Sequence, residues 1–164
     1  MKNYWFALPG LLLCILLFSF TSKHGQKIVN INGEKIFLKH ADDALAAIEQ
    51  GALKLSIKGV AIVVFIPGDS TRSWVSKMKV VGLMKKGSSN LLGVASTKAA
   101  EMADTYQDSG SGIRPPLKGE YGYKGGLIRK VGSGYIIAVF SGGSPDQDKE
   151  AANNGAELFS IYFK

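Results

Sequence analysis

GGLIRKVGSGYIIAVFSGGSPDQDKEAANNGAELFSIYF, residues 125–163, dictates a hairpin that feeds a capped helix. Leu127 to Val131 makes one strand. Gly132-Ser133-Gly134 makes the turn, because glycine accepts positive φ at no steric cost. Tyr135 to Phe140 is an unbroken apolar run, the pattern of a strand covered on both faces. Ser141-Gly142-Gly143 breaks it. Ser144 then stands at a helix N-cap, with Pro145 at the first helical position and Gln147 three residues after the cap. That is a capping box with proline at N1. Asp146 and Asp148 put negative charge at the positive end of the helix dipole. Asp148, Ala151, Ala152, Gly155, Leu158, Phe159 and Tyr162 recur at threes and fours, one helical face. Its small residues predict close packing on a sheet.

Upstream, the 164 residues suit one domain behind a leader. Lys2 precedes a nearly uninterrupted apolar run from Tyr4 to Phe20, and Ser19 and Thr21 are small. Residues 1–22 therefore read as a secretory signal peptide, which sends the chain outside the cytoplasm, secreted or periplasmic. The alternative is a retained membrane anchor, for which the run is short against the ~20 residues of a spanning helix. Cys14, the one cysteine, lies inside the leader. The mature chain is then cysteine-free: no disulfide, no thiolate metal site, no cysteine nucleophile. Net charge is +7; losing Lys2 leaves 19 basic against 13 acidic residues, or +6. The lysines are spread out rather than clustered with aromatics, which argues against a nucleic-acid surface. No membrane contact is expected once the signal is removed.

Residues 23–35 read as a flexible lead-in, with Ile28, Val29 and Ile31 able to form a short edge strand. A helix is predicted over 41–57, buried along Ala41, Leu45, Ile48, Ala52 and Leu55, with Asp42 and Asp43 in its first turn. Val60 to Ile66 is a central strand. Pro67-Gly68-Asp69 turns it into a return strand, Trp74 to Val81, whose Lys77 and Lys79 face water. A loop at 85–90 ends in Ser89 or Asn90 as a cap, and a second helix carries Leu92, Ala95, Ala99, Met102 and Tyr106 on one face. Asp108 to Gly112 is flexible by composition, and Leu117 to Tyr123 is a candidate short strand. The order is helix, strand, strand, helix, short strand, hairpin, helix. This is an α/β domain with a mainly antiparallel sheet covered by helices.

GGLIRKVGSGYIIAVFSGGSPDQD resembles the closing motif of the GlcG/HbpS-like family, the haem-degrading or haem-binding domain family. Residues 41–65 resemble its opening helix and strand, and Ser96-Thr97-Lys98-Ala99-Ala100 its middle helix. Residues 36–164 would be that domain. The resemblance implies a profilin-like sandwich with a five-stranded antiparallel sheet, assembled as a homo-oligomer. The chain departs from the pattern at Phe65, where the family has Asp, at Lys77-Met78-Lys79-Val80, where it has Arg-Met-Asp-Gly, and at Ile128, where it has proline.

Several chemistries fail on spacing. Gly132-Ser133-Gly134 does not open a helix, so it is no dinucleotide loop, and no Gly-Lys-Ser/Thr marks a P-loop. No Ser-His-Asp or Cys-His set assembles. His24 and His40 alone do not make a zinc site. A haem iron needs only one or two protein ligands. His40, Met78, Tyr106, Tyr121 and Tyr123 have the chemistry for it. With the resemblance, the expected function is a secreted domain binding a small molecule, haem or a related tetrapyrrole. His40 is the expected metal ligand. The slot would lie near Met78 and Lys98, with Lys98 on a propionate and Gly125-Gly126 admitting the ligand. The alternatives are an enzyme of haem degradation or of a small hydroxy acid, the family being linked to glycolate operons, and a structural oligomer with a vestigial pocket. The acidic residues missing from the second strand weigh toward binding or structure rather than catalysis.

Overall fold

The computed structural model of the protein describes residues 31–82 and 89–164. The segment expected to be a signal peptide and most of the expected lead-in lie outside the described residues, as does the greater part of the 85–90 loop. The elements are α1 (Ile31–Lys54), β1 (Gly59–Pro67), β2 (Val75–Val81), α2 (Leu91–Thr105), β3 (Gly126–Val131), β4 (Gly134–Ser141) and α3 (Pro145–Tyr162).

The apolar runs take the middle of the sheet. Strand order is β2-β1-β4-β3, antiparallel throughout. Alternate residues of β1 and β4 feed two cores. On one face Ala61, Val63, Phe65, Ala138 and Phe140 pack with α1 and α3. On the other Val60, Ile62, Val64, Ile137 and Val139 pack with Ala95, Ala99 and Met102 of α2. Phe37 stacks between Phe65 and Phe159, at 6.3 and 5.5 Å between ring centres. Each fully buried phenylalanine stabilises the fold by roughly 1.5–3 kcal/mol.

The first helix begins earlier than periodicity from Ala41 suggests. Residues 31–35, expected in the lead-in, and Ile36–Leu38 are helical. Phe37 extends the buried stripe of Ala41, Ala44, Leu45, Ile48 and Ala52 by one turn. Gly33 sits where a Cβ would meet the Phe65 ring and Ser133. Asp42 and Asp43 are therefore mid-helix, where their bonds to Lys77 and His40 replace the expected role in a first turn. The helix stops before Ile57 because Ser56 is left-handed (φ 57°) and Ile57 N–H turns back to Ala52 O. Lys77 and Lys79 face α1, bonded to Asp42 and Glu49.

The sheet has four strands among the described residues, not the expected five. Leu117 to Tyr123 is irregular, with Gly119 and Gly122 at positive φ. The outer edge of β3 is closed by the segment expected to be flexible. Ser109 N–H donates to Gly126 O, Ser109 Oγ accepts from Gly126 N, and Asp108 Oδ1 accepts from Ile128 N. Short polar side chains thus satisfy an edge that a strand would otherwise pair. The closing hairpin turns in two residues, Val131 facing Gly134. The β1–β2 connection does not, since Phe65 faces Val75.

Candidate functional site

The long β1–β2 connection builds the first feature. Gly68 (φ 78°) turns the chain away from β1, and its N–H donates to Ser133 O. The chain then crosses to the end of α2. There Tyr106 closes the helix in the left-handed conformation (φ 54°), its N–H on Met102 O. Thr71 locks the crossing. Its Oγ1 donates to Ala103 O at 2.6 Å and its N–H donates to Tyr106 Oη at 2.9 Å. Between connection and helix lies an open cleft of about 430 Å³, lined by Thr71, Trp74, Ala100, Ala103, Asp104 and Tyr106. That volume falls within the range of small-molecule sites, ~300–1,000 Å³. Trp74, 39% exposed, and Ala100 and Ala103 of α2 supply the apolar lining of the cleft.

Beyond the cleft, Arg114 ties residues 111–124 to α2. It donates to Asp104 Oδ2 from Nε and Nη2, and to both oxygens of Glu120. Glu120 Oε2 also accepts from Leu117 N. These bonds hold the Glu120 carboxyl down to about 2 and push the guanidinium pKa up.

A second cluster joins the layers. Lys98, on α2, reaches past the end of β4 to Asp148 on α3. Nζ lies 2.8 Å from Asp148 Oδ2 and 3.0 Å from Phe140 O. Asp148 Oδ1 accepts from the N–H groups of Gly142 and Gly143. Burial pushes the Asp148 carboxyl up and the Lys98 ammonium down, and each partner opposes the shift of the other. Asp148 thus stands in the first turn of α3, as expected, and is at the same time a buried acceptor.

The five residues expected at a haem slot do not surround one space. His40 lies between α1 and α3, its ring stacked on Tyr162 at 3.7 Å and Nδ1 3.1 Å from Asp43 Oδ2. Met78 stands on the edge strand, opposite Ile62 on the α2 face. Lys98 is committed to Asp148. A Cβ at Gly125 would meet Asp148 Cβ and Lys98 Nζ, and one at Gly126 would meet Met102 Cε. These glycines make room for the protein's own side chains. The arrangement does not fit a haem held by His40 and Lys98. Among the described residues no three His, Cys, Asp or Glu side chains gather as a metal site.

Of the iron-capable residues, Tyr106 alone lines the cleft. The sequence reading gave Thr71, Trp74, Ala100, Ala103 and Asp104 no part in a site. Trp74 carried the one available signal: it is the only tryptophan after Trp5. Asp148 had a clearer one. Lys98 falls between Ala95, Ala99 and Met102 on a buried face, and a buried lysine demands a counter-ion.

No family model matches the chain, and no curated protein matches it. Solved structures do. Klebsiella pneumoniae protein ORFY, described as DUF336, is similar with a TM-score of 0.56 and 17% identity, over 75% of this chain and 89% of that one. The Ybr137w protein is similar with a TM-score of 0.55 and 15% identity, over 84% of this chain and 90% of that one. The chain shares their fold.

Proposed function

We propose that the chain is an exported, non-enzymatic domain that binds a small molecule in the cleft between the β1–β2 connection and α2. The observation that carries this is the Thr71–Tyr106–Ala103 bridge, which ties the connection to α2 beside a cleft lined by the half-exposed Trp74 and two alanines. Apolar and aromatic linings with few polar groups are what small-ligand sites use. The buried ionisable pair, Lys98 and Asp148, is spent on holding the layers and offers no acid or base to a cleft. The fold is shared with ORFY, whose DUF336 family is related to GlcG, and this supports a GlcG-like, profilin-like domain. Export rests on Lys2 and the apolar run that follows it. Tetrapyrroles, the ligand class that the sequence resemblance adds, would find neither His40 nor a cation for their propionates among the described lining residues.

Amide chemical shifts of the full chain, titrated with haemin and separately with 2-naphthol, test the cleft. Shifts confined to Thr71, Trp74, Ala100, Ala103 and Tyr106, and lost in Ala100→Phe, are expected for a probe that binds. Shifts scattered over surface lysines and abolished by salt are adsorption to a +7 chain and overturn the reading.

One observation favours a second reading, a homo-oligomer. Met78 and Val80 stand 42% and 43% exposed on an edge strand whose outer side no described element pairs. Light scattering that gives a multiple of the 17.6 kDa chain, reduced by Met78→Glu, is its expected signature, and a monomer rejects it.

A further inference from the structure

Given the cleft as the binding site, the hydrogen bonds already made by its lining residues limit the ligand chemistry it accepts. Thr71 Oγ1 carries one hydrogen and gives it to Ala103 O at 2.6 Å. Its 3.0 Å contact with Tyr106 Oη must therefore take the hydrogen from Tyr106. Tyr106 Oη in turn accepts from Thr71 N. Every N–H and O–H of these two residues, apart from the Tyr106 amide that closes α2, is thus spent between them and Ala103, and that amide is spent on Met102. What they have left are acceptor lone pairs.

Asp104 adds to this. Both Arg114 bonds to it fall on Oδ2, which leaves Oδ1 of this cleft-lining residue outside the ion pair. Asp104, Arg114 and Glu120 together carry one net negative charge, on a chain of the opposite sign overall. Among the described lining residues the Trp74 indole N–H is the remaining side-chain donor, and its ring face attracts cations. We infer that the cleft binds an organic cation, a protonated amine on a small apolar or aromatic body. The ammonium would donate to Asp104 Oδ1 and Tyr106 Oη while the body lies on Trp74, Ala100 and Ala103.

The test uses the full chain carrying Trp5→Phe, so that emission reports Trp74 alone. It is titrated at neutral pH with phenethylamine, 2-phenylethanol and phenylacetate, which share a ring and differ in charge. The amine should give a saturable change, the alcohol should bind at least tenfold more weakly, and the carboxylate should give none. Asp104→Asn should weaken amine binding at least fivefold. Because that variant also loosens Arg114, Glu120→Gln serves as its control: it removes the same unit of charge and disturbs the same ion pairs but keeps the Asp104 carboxylate, so it should retain the preference for the amine over the alcohol. Alcohol or carboxylate binding as tight as the amine overturns the cation assignment and leaves the cleft standing as a site. Silence from all three overturns it too, and the 2-naphthol shifts then decide the cleft separately.

Discussion

Lys98 Nζ and Asp148 Oδ2 lie 2.8 Å apart with side chains only 3% and 5% exposed, and they join the helix on one face of the sheet to a helix on the other. Two charges withdrawn from water cost several kcal/mol each unless geometry compensates. Here the surroundings complete the set, with Phe140 O on the ammonium and two glycine amides on the carboxylate. Breaking the pair is therefore costly while exchanging it need not be.

Lys98→Met should destabilise by about 3–5 kcal/mol, because it strands a buried carboxylate. Asp148→Asn strands the ammonium, and the double variant should cost less than the sum by about 1–3 kcal/mol. In Lys98→Met the loss should also depend on pH. Burial raises the Asp148 carboxyl above its ordinary 3.8, and without the lysine only the Gly142 and Gly143 amides oppose this. The native state then holds a proton that the unfolded chain releases, so stability falls as pH rises through the window above 3.8. Urea melts between pH 4 and 7 check this; a penalty independent of pH would mean that the carboxylate finds another partner.

Gly125 and Gly126 separate two meanings of a double glycine. Gly125 stands at φ 124°, and a Cβ there would meet Asp148 Cβ at 2.5 Å and Phe140 O at 3.0 Å. Gly126 has ordinary φ, and its Cβ would meet chiefly the flexible end of Met102. Gly125→Ala should cost at least 2 kcal/mol more than Gly126→Ala, roughly the scale of a strained backbone plus overpacking. Thermal melts of the two variants measure the difference; equal shifts would refute it.

The elements that were legible in the sequence are those whose cause is local. Ser144, Pro145 and Gln147 form a helix start by themselves, and the structure contains the reciprocal bonds of the capping box. Val60 to Ile66 and Tyr135 to Phe140 form central strands because nothing else buries such runs. What stayed hidden depends on groups distant in sequence. Asp108 and Ser109 look flexible until β3 offers them amides. Thr71 is one more polar loop residue until Tyr106, 35 positions on, receives it. His40 looks like an isolated imidazole until Tyr162 and Asp43 receive it.

The capping box gives a smaller, cleaner prediction. Ser144 Oγ accepts from Gln147 N, and Gln147 Oε1 from Ser144 N. Ser144→Ala removes the first bond and should cost about 1 kcal/mol. A shifted urea midpoint with unchanged slope is the expected result, since no surface changes.

Glu120 should give the loop at 111–124 a recognisable acid limit. Its folded pKa, about 2 against an ordinary 4.5, is held down by the Arg114 guanidinium and the Leu117 amide. A depressed carboxyl contributes stability that is complete above its unfolded pKa and is lost as pH falls through the folded one. The loop's order should thus be constant above about pH 4.5 and disappear toward pH 2. These groups lie near the surface, where solvent screens them, so the effect is local rather than global. Hydrogen exchange at the Leu117 amide reads it directly, because that N–H donates to Glu120 Oε2 at 2.8 Å. Glu120→Gln should remove most of the protection above pH 4.5 and converge with the unmodified protein at the acid end. Protection that persists unchanged in Glu120→Gln would show that Pro115, Pro116 and the backbone hold this loop without the carboxylate.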